Sequence, residues 1–543
     1  MKTNSMVWIS FLATMAFAGC KEDDNIEYEN PGSKVQTDVT VTDGQNMADD
    51  YTPIADWGNR FRWNLANVHD PSVVRADDGY YYMYQTDASY GNAHAGEGQS
   101  RGHFYCRRSK DLINWEFMGP TLHGVPAWVK SKLNEIRKDM GLAPSSIDFR
   151  NQTQFGFWAP CVRRIRRDLY RMYYVVTLPG TINGAGTWSE RCFIGLMETS
   201  NPADIYTWTD KGYVITNYSD RGLDFKVNAT DYARCYFKYN AIDPSLLINE
   251  KGEHWLVYGS WHSGFAALQL DPATGKPLHA LGNPWGAENE TAYGKLIYTR
   301  KFGDRWQASE APELVWHEGY YYLFMAYDEL SVAYNTRVVR SRNIDGPYYD
   351  ITGRDVTNRG GDAYPILTHP YRFGSDHGWV GISHCAVFND GKSNWYYASQ
   401  QRFPENYKGN AGSNALMVGG VRAIVWTPDG WPLVLPERYA GIAQKTITES
   451  ELLGDWQHIN LVYNYKRQDA SVSMTLAANH TVKSGWKTGK AWRFDASKNV
   501  LTIDNEQFHL RRELDWEANP RKATIVYVGL SSNGKTTYWG KKV

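Results

Sequence analysis

Asn67-Val68-His69-Asp70-Pro71-Ser72 and Asn240-Ala241-Ile242-Asp243-Pro244-Ser245 are near-copies of one another. Each leads into a similar stretch: apolar residues, a polar turn, then an aromatic run, Gly79-Tyr80-Tyr81-Tyr82-Met83-Tyr84 in the first and His254-Trp255-Leu256-Val257-Tyr258 in the second. Three more runs share this form, at Leu169 to Val176, Tyr320 to Phe324 and Trp395 to Ala398. Each has strand length and comes after a turn of Gly, Asp or Asn. Several lead to a further strand that ends in a Ser and a loop, as at Arg108-Ser109-Lys110-Asp111, Glu198-Thr199-Ser200-Asn201 and Arg340-Ser341-Arg342-Asn343. Five self-similar, strand-only units predict an all-β chain whose body, over about residues 56–440, is a five-bladed β-propeller. Helical patterning is rare, and Trp128 to Met140 is its best case.

Both flanks read differently. Near residue 448 a new unit opens with Leu453-Gly454-Asp455-Trp456. Strand-like runs come next, at His458 to Tyr463, Ser471 to Leu476, Ala491 to Phe494, Val500 to Ile503 and Ala523 to Val528. Gly-x-Trp before a meander is lipocalin-like, and residues 448–543 are expected to form a small antiparallel β-barrel. At the other end, Lys2 precedes a short apolar run, Met6 to Ala18, that ends in Phe17-Ala18-Gly19-Cys20. The run is short for a membrane span and suits a signal peptide, 1–19, cut to leave Cys20 as a lipid-bearing N-terminus. Lys21-Glu22-Asp23-Asp24 then opens a polar, acidic tether over 20–55. These features predict a bacterial outer-membrane lipoprotein, exposed at the cell surface and touching the membrane through its lipid alone. The formal net charge of -1 offers no basic surface for a nucleic acid. Cys106, Cys161, Cys192, Cys235 and Cys385 match no zinc spacing and are expected to be mostly buried thiols.

The chemistry comes from the repeat. Blades converge on an axis, so residues at the head of each innermost strand meet although they lie far apart in sequence. Those heads are Asp70-Pro71-Ser72, Trp158-Ala159-Pro160, Asp243-Pro244-Ser245, Glu310-Ala311-Pro312 and His384-Cys385-Ala386. A single Asp-Pro is ordinary turn chemistry, and Asp271-Pro272, beside Thr274-Gly275, reads as such. Recurrence at equivalent places changes the reading. Three acids, Asp70, Asp243 and Glu310, are brought to one channel, where repulsion and burial separate their pKa values. One ionised carboxylate and one protonated carboxyl are what glycoside hydrolysis requires.

In this order on five repeats, these motifs resemble glycoside hydrolase family 43, over about residues 60 to 435, and most closely its endo-1,5-α-L-arabinanases. Tyr258-Gly259-Ser260-Trp261-His262-Ser263-Gly264, Tyr334-Asn335-Thr336-Arg337 and Gly346-Pro347-Tyr348 carry the closer likeness. The resemblance implies a five-bladed propeller and an inverting hydrolysis of arabinan, by a chain expected to be monomeric. Asp70 would be the general base, Glu310 the general acid and Asp243 the group that raises the pKa of Glu310. Neighbouring Glu313 is a rival acid. Base and acid should stand about 6.5–9.5 Å apart. Trp158, Asn240, Ser260, Trp261 and His262 are the expected substrate contacts. His384 is the expected ligand of a largely hydrated calcium ion on the axis, although Ser383-His384-Cys385 departs from the family's Gly-His-Asn. Two other functions fit the same sequence: an exo-acting α-L-arabinofuranosidase or β-xylosidase, its groove walled by the loops Ala88 to Arg101 and Pro120 to Thr153, and a non-catalytic surface glycan-binding protein.

Overall fold

The computed structural model describes residues 64–86, 102–178, 191–219, 237–304, 306–409, 411–518 and 520–543. The apolar leader, Cys20, the acidic tether, the loop 88–101 and Cys235 lie outside the described residues. Five four-stranded antiparallel meanders succeed one another along the chain. The first comprises Ser72–Arg75, Tyr81–Tyr84, His103–Ser109 and Glu116–Leu122. The first strands of the other four are Gly156–Arg166, Ser245–Ile248, Ser309–His317 and Val380–Asn389. Each first strand packs on the next around a ring, and the fifth packs on the first, which closes a five-bladed propeller.

The aromatic runs form the second strand of every blade: Tyr81–Tyr84, Leu169–Leu178, His254–Tyr258, Tyr320–Tyr327 and Trp395–Arg402. These strands are covered on both faces by neighbouring blades and are buried almost throughout. That explains their near-continuous apolar character in place of alternation. Buried tyrosines then need partners for their hydroxyls. Tyr170 finds Asp77 at 2.9 Å, Tyr397 finds Thr336 at 2.7 Å, and Tyr322 donates to the Gly430 carbonyl. The hydroxyl residues that close the third strands cap the turns after them: Ser109 Oγ accepts from Leu112 N, Thr199 Oγ1 from Asn201 N and Ser341 Oγ from Asn343 N. Asp271 likewise folds its own turn, accepting from Ala273 N at 2.9 Å.

The heads of the inner strands share one backbone conformation. Asp70, Ala159, Asp243, Ala311 and His384 all have positive φ, at 47°, 41°, 56°, 59° and 53°. For L-residues this left-handed region costs roughly 1–2 kcal/mol each, and a proline next in the chain, present in four blades, disfavours helical backbone further. In blades 2, 4 and 5 the same residue breaks the strand register as a bulge, which re-aims the side chains beside it. Two residues on, a side chain accepts the backbone N–H of the next blade's inner strand. Ser72 Oγ takes Val162 N at 2.9 Å, Cys161 Sγ takes Leu246 N at 3.2 Å, Ser245 Oγ takes Leu314 N at 3.0 Å and Glu313 Oε1 takes Val387 N at 3.2 Å. Ala386 holds this position in the fifth blade and has no acceptor to offer. The serine of Asp-Pro-Ser is therefore an inter-blade staple.

The second domain begins after the short strand Pro432–Val434. A capping box, with Thr448 N donating to Glu451 Oε2 at 2.8 Å, starts a one-turn helix at Glu449–Leu452. Eight strands then form one antiparallel sheet whose edges, Val482–Gly485 and Trp492–Asp495, meet through a Thr481–Ala491 bridge into a nearly closed barrel. Three of its strands, Val482–Gly485, Glu506–Asp515 and Thr537–Lys542, are not apparent from sequence. Their charged residues hide an alternation in which Phe508, Leu510 and Leu514 point inward. The interior is filled by Trp456, Met474, Trp492, Phe508 and Tyr527. The helix expected near Trp128 spans Ala127–Asp139 and docks Val129, Leu133 and Ile136 on blade 2. The four described cysteines are buried free thiols. Among the described residues, no helix is long and apolar enough to cross a membrane.

The two domains share a core in which Trp539 of the barrel donates to Val434 O at 2.8 Å and meets Tyr371 edge-on at 4.9 Å. Beside it, buried Lys541 binds Glu437, Asp515 and Glu517 at 2.7–3.0 Å.

The staples make a direct prediction. Ser72→Ala leaves the buried Val162 N–H without its acceptor and should cost about 1–3 kcal/mol in chemical denaturation. Ser72→Cys, which copies Cys161, should recover much of that loss; equal losses for the two variants would show that the serine acts by size alone.

Candidate active site

The left-handed corners turn one set of side chains toward the propeller axis. Asp70 sits almost buried among partners from two blades, the first and the fifth. Thr86, two residues beyond the second strand of blade 1, donates its hydroxyl to Asp70 Oδ2 at 2.6 Å and accepts Ala159 N at 2.7 Å. His384 of blade 5 places Nδ1 2.9 Å from Asp70 Oδ1, and His69 Nε2 lies 3.3 Å from the same oxygen. Gln400 Oε1 accepts Asp70 N at 3.1 Å. Burial alone would raise the pKa of Asp70. The positive charge of His384, the field of His69 and the hydrogen bonds from His384 and Thr86 outweigh it and hold the carboxyl well below its usual range. Burial would lower the pKa of His384, but Asp70, Asp243 and Glu310 together push it up to about 9. His69 is lowered by burial to about 4 and is neutral at neutral pH.

Asp243 and Glu310 form the other half of the site. Asp243 Oδ2 accepts Ala311 N at 3.0 Å, so it fixes the backbone next to Glu310. Burial raises the pKa of both; the charges of Glu310 and Asp70 add to the rise at Asp243, that of Asp70 adds to it at Glu310, and the field of His384 opposes both, joined at Glu310 by the hydrogen bonds from Tyr334 and Trp261. Glu310 takes three donors: Tyr334 OH on Oε1 at 2.5 Å, and Trp261 Nε1 at 2.5 Å and Ser260 Oγ at 3.1 Å on Oε2. One carboxyl is thus held ionised and two sit in an environment that favours a shared proton, which is the division of labour that acid–base chemistry requires.

The segment from Tyr258 to Gly264 makes this possible. Trp261 and Ser263 have φ of 63° and 56°. A Cβ on Gly264 would meet Tyr298 O at 1.9 Å and one on Gly259 would meet Gly264 O at 2.4 Å, so both positions demand glycine. The fold they permit brings the Trp261 ring onto Trp306, with centroids 4.6 Å apart.

The structure brings Asp70, Asp243, Glu310 and His384 together, with Ser260 and Trp261 on the acid. Trp158 is half-buried beside Ala159, its ring lying over Gly156. Asn240 and His262 are fully buried, where they brace the wall behind Ser260 and Trp306: Asn240 Nδ2 donates to Ser260 O at 3.3 Å. Glu313 points into the closed channel, bound to Arg163 at 2.6 Å, Ser245 at 2.9 Å and Val387 N, a set of partners that makes it structural. Thr86 and Trp306 do not stand out in the sequence, and Tyr334 lies in a segment that carries the family likeness without being marked as a site residue. A polar residue just past an aromatic strand is the available signal, since Thr86 and Ser260 stand there and reach Asp70 and Glu310; Gln400, which accepts Asp70 N, lies within its strand.

The model of glycosyl hydrolases family 43 matches residues 65–432, the whole propeller. The chain belongs to family 43. A C-terminal lipocalin-like domain of the same family matches residues 436–540. Among relatives, an extracellular endo-α-(1→5)-L-arabinanase of Thermotoga petrophila is 25% identical over 519 residues, 90% of this chain and 96% of its own length. An extracellular exo-α-(1→5)-L-arabinofuranosidase of Cellvibrio japonicus is 26% identical over 374 residues, 68% of this chain and 86% of its own. The crystal structure of endo-1,5-α-L-arabinanase from Thermotoga petrophila superimposes with a TM-score of 0.64 at 22% identity, over 88% of this chain and 99% of that one, which shows a common fold. This family 43 chain is a glycoside hydrolase.

Tyr334 gives the site its sharpest test. Its hydroxyl stabilises the Glu310 carboxylate, so Tyr334→Phe should raise the pKa of Glu310 further. If Glu310 must be protonated to act, the alkaline limb of kcat/KM moves to higher pH. An unchanged or acid-shifted limb would place the acid elsewhere.

Proposed function

We propose that the chain is an inverting endo-arabinanase that cuts α-1,5-arabinofuranosidic links. The observation that carries this is the split among the three acids: Asp70 held ionised by His384 and Thr86, and Glu310 kept in a high-pKa pair with Asp243. In this reading Asp70 takes a proton from water as the water oxygen bonds to the anomeric carbon. The bond to the leaving oxygen breaks as Glu310 gives that oxygen its proton. Asp243 keeps Glu310 protonated through its charge and aims it through Ala311 N. Because Asp70 stays ionised far below neutrality, it does not set the acidic limb of activity. The endo mode is supported by the Thermotoga petrophila relative, which matches across both domains, whereas the exo-acting relative matches over a propeller's length.

Calcium fits His384 in one way. With Nδ1 directed at Asp70, the imidazole offers Nε2, and a carboxylate behind a histidine is the usual arrangement for a metal ligand. No cluster of three ligating side chains includes His384 among the described residues, so water would complete the shell. The ion would supply positive charge on the axis in place of the proton of His384. Elemental analysis before and after exhaustive chelation checks this, one calcium per chain being expected and none refuting it. We also place the chain on the outer membrane through lipid on Cys20. Cys20→Ala should abolish palmitate labelling and release the protein from membranes; retained labelling would move the anchor elsewhere.

On linear arabinan, the enzyme should release mixed oligosaccharides at first, and proton NMR should show the β-anomer as the initial product. Monosaccharide alone from the outset would contradict endo action. Asp70→Asn and Glu310→Gln should each lower kcat by about 10²–10⁴ with folding intact; near-normal turnover in either would overturn its role.

A further inference from the structure

A second polar cleft lies where the barrel meets the propeller, on the face opposite the catalytic mouth. The third strand of blade 5 starts at Met417, paired with Arg402 near the mouth, and ends at Trp426 on the far side. The turn after it, 427–431, forms one wall with Ile351 of blade 4. Two barrel turns, around Asn505 and around Ser532, form the other, and together they enclose about 530 Å³. That volume is typical of a small-molecule site. A second hollow of about 470 Å³ shares Ile351 and Trp431 and runs on past Tyr349, whose ring is 41% exposed.

The walls are preset. Arg340 lies 4.3 Å from the centroids of both Tyr320 and Trp431 and donates to Asp429 O at 2.7 Å, and Tyr322 donates to Gly430 O. The turn at Ser531–Gly534 is closed by Asn533 and Ser531 side chains and rests on Ile351. Against these committed groups, the side chains of Asn505, Gln507, His509 and Ser532 line the first hollow and make no hydrogen bond to the described residues. No lysine or arginine lines it, while Asp429 and Glu506 do. That disfavours an anion in the first hollow; Arg340 and Arg342 line the second, where both lie on the Tyr320 ring. Amides, a hydroxyl and an imidazole match the paired hydroxyls of a neutral sugar, and the exposed Tyr349 ring offers a stacking face one hollow further on.

We propose that this cleft is a second glycan site, which takes a neutral pentose segment of the polymer remote from the link being cut. The assignment of arabinan rests on the proposed endo-arabinanase activity. Holding the polymer at two places raises its effective concentration at the catalytic mouth without any new contact there.

The test is an Asn505→Ala/Gln507→Ala/Tyr349→Ala protein with an unchanged melting temperature. Its KM for linear arabinan should rise about tenfold, while kcat/KM for arabinotriose stays at the wild-type value. In the Asp70→Asn background, the same triple change should lessen retardation in arabinan-containing gels. A triple variant with wild-type KM on polymer and wild-type retardation overturns the site, as does an equal loss on polymer and trisaccharide. If the wild type cleaves no arabinan, the proposed arabinanase activity fails on that result alone; the gel arm still decides whether the cleft binds the polymer.

Discussion

A left-handed residue at the head of every inner strand is a costly thing to build five times over, and the propeller is arranged around it. The corner lets the strand turn sharply into the channel wall, and the proline that comes next in four blades withholds a donor where no partner is in line. Two residues later the chain recovers stability, since the staple there satisfies a backbone N–H of the neighbouring blade. Strain and staple belong to one short motif, so each of the first four blades fixes both its own mouth and the position of the next.

The same corner explains why the site is asymmetric. Five equivalent positions hold Asp, Ala, Asp, Ala and His, and the blade 4 acid stands one residue earlier. Glu310 reaches Tyr334, Trp261 and Ser260, whereas Asp70 reaches two histidines and the Thr86 hydroxyl and Asp243 reaches the Ala311 backbone. Asp70 is surrounded by imidazole and hydroxyl and stays ionised. Glu310 lies among burial and like charge, which raise its pKa. Chemical difference between similar acids thus comes from register together with the side chains that it lets each one reach.

Much of this is legible in the sequence. The aromatic strands and the Asp-Pro-Ser copies disclose the number of blades, because a buried second strand and a fixed corner leave period and composition marks. The three acids and His384 come from their place in that repeat. What stays hidden is set by contact across blades. Ser72 and Cys161 do the same task with different atoms, and Glu313, close to Glu310 in sequence, is turned away from it by the bulge. Tyr334 lies on a loop with no periodic signature. Asn240 and His262 stand beside site residues in the chain but point into the wall. In the barrel, Glu506–Asp515 reads as a charged stretch because its outer face carries more charge than its inner face carries carbon.

The alanine at the fifth staple position has a mechanical meaning. A propeller is a necklace that must be fastened where its ends meet, and here the fastening is not done by the device used at the other four joints. Leu65–Asn67 pairs with Met417–Gly419 across that joint, Gln400 holds Asp70 N, and His384 grips the Asp70 carboxylate. The bond that keeps Asp70, the proposed base, ionised is thus also a hook of the clasp. The joint between first and last blade and the surroundings of Asp70 therefore rest on the same contacts, so a change that slackens the one also alters the other.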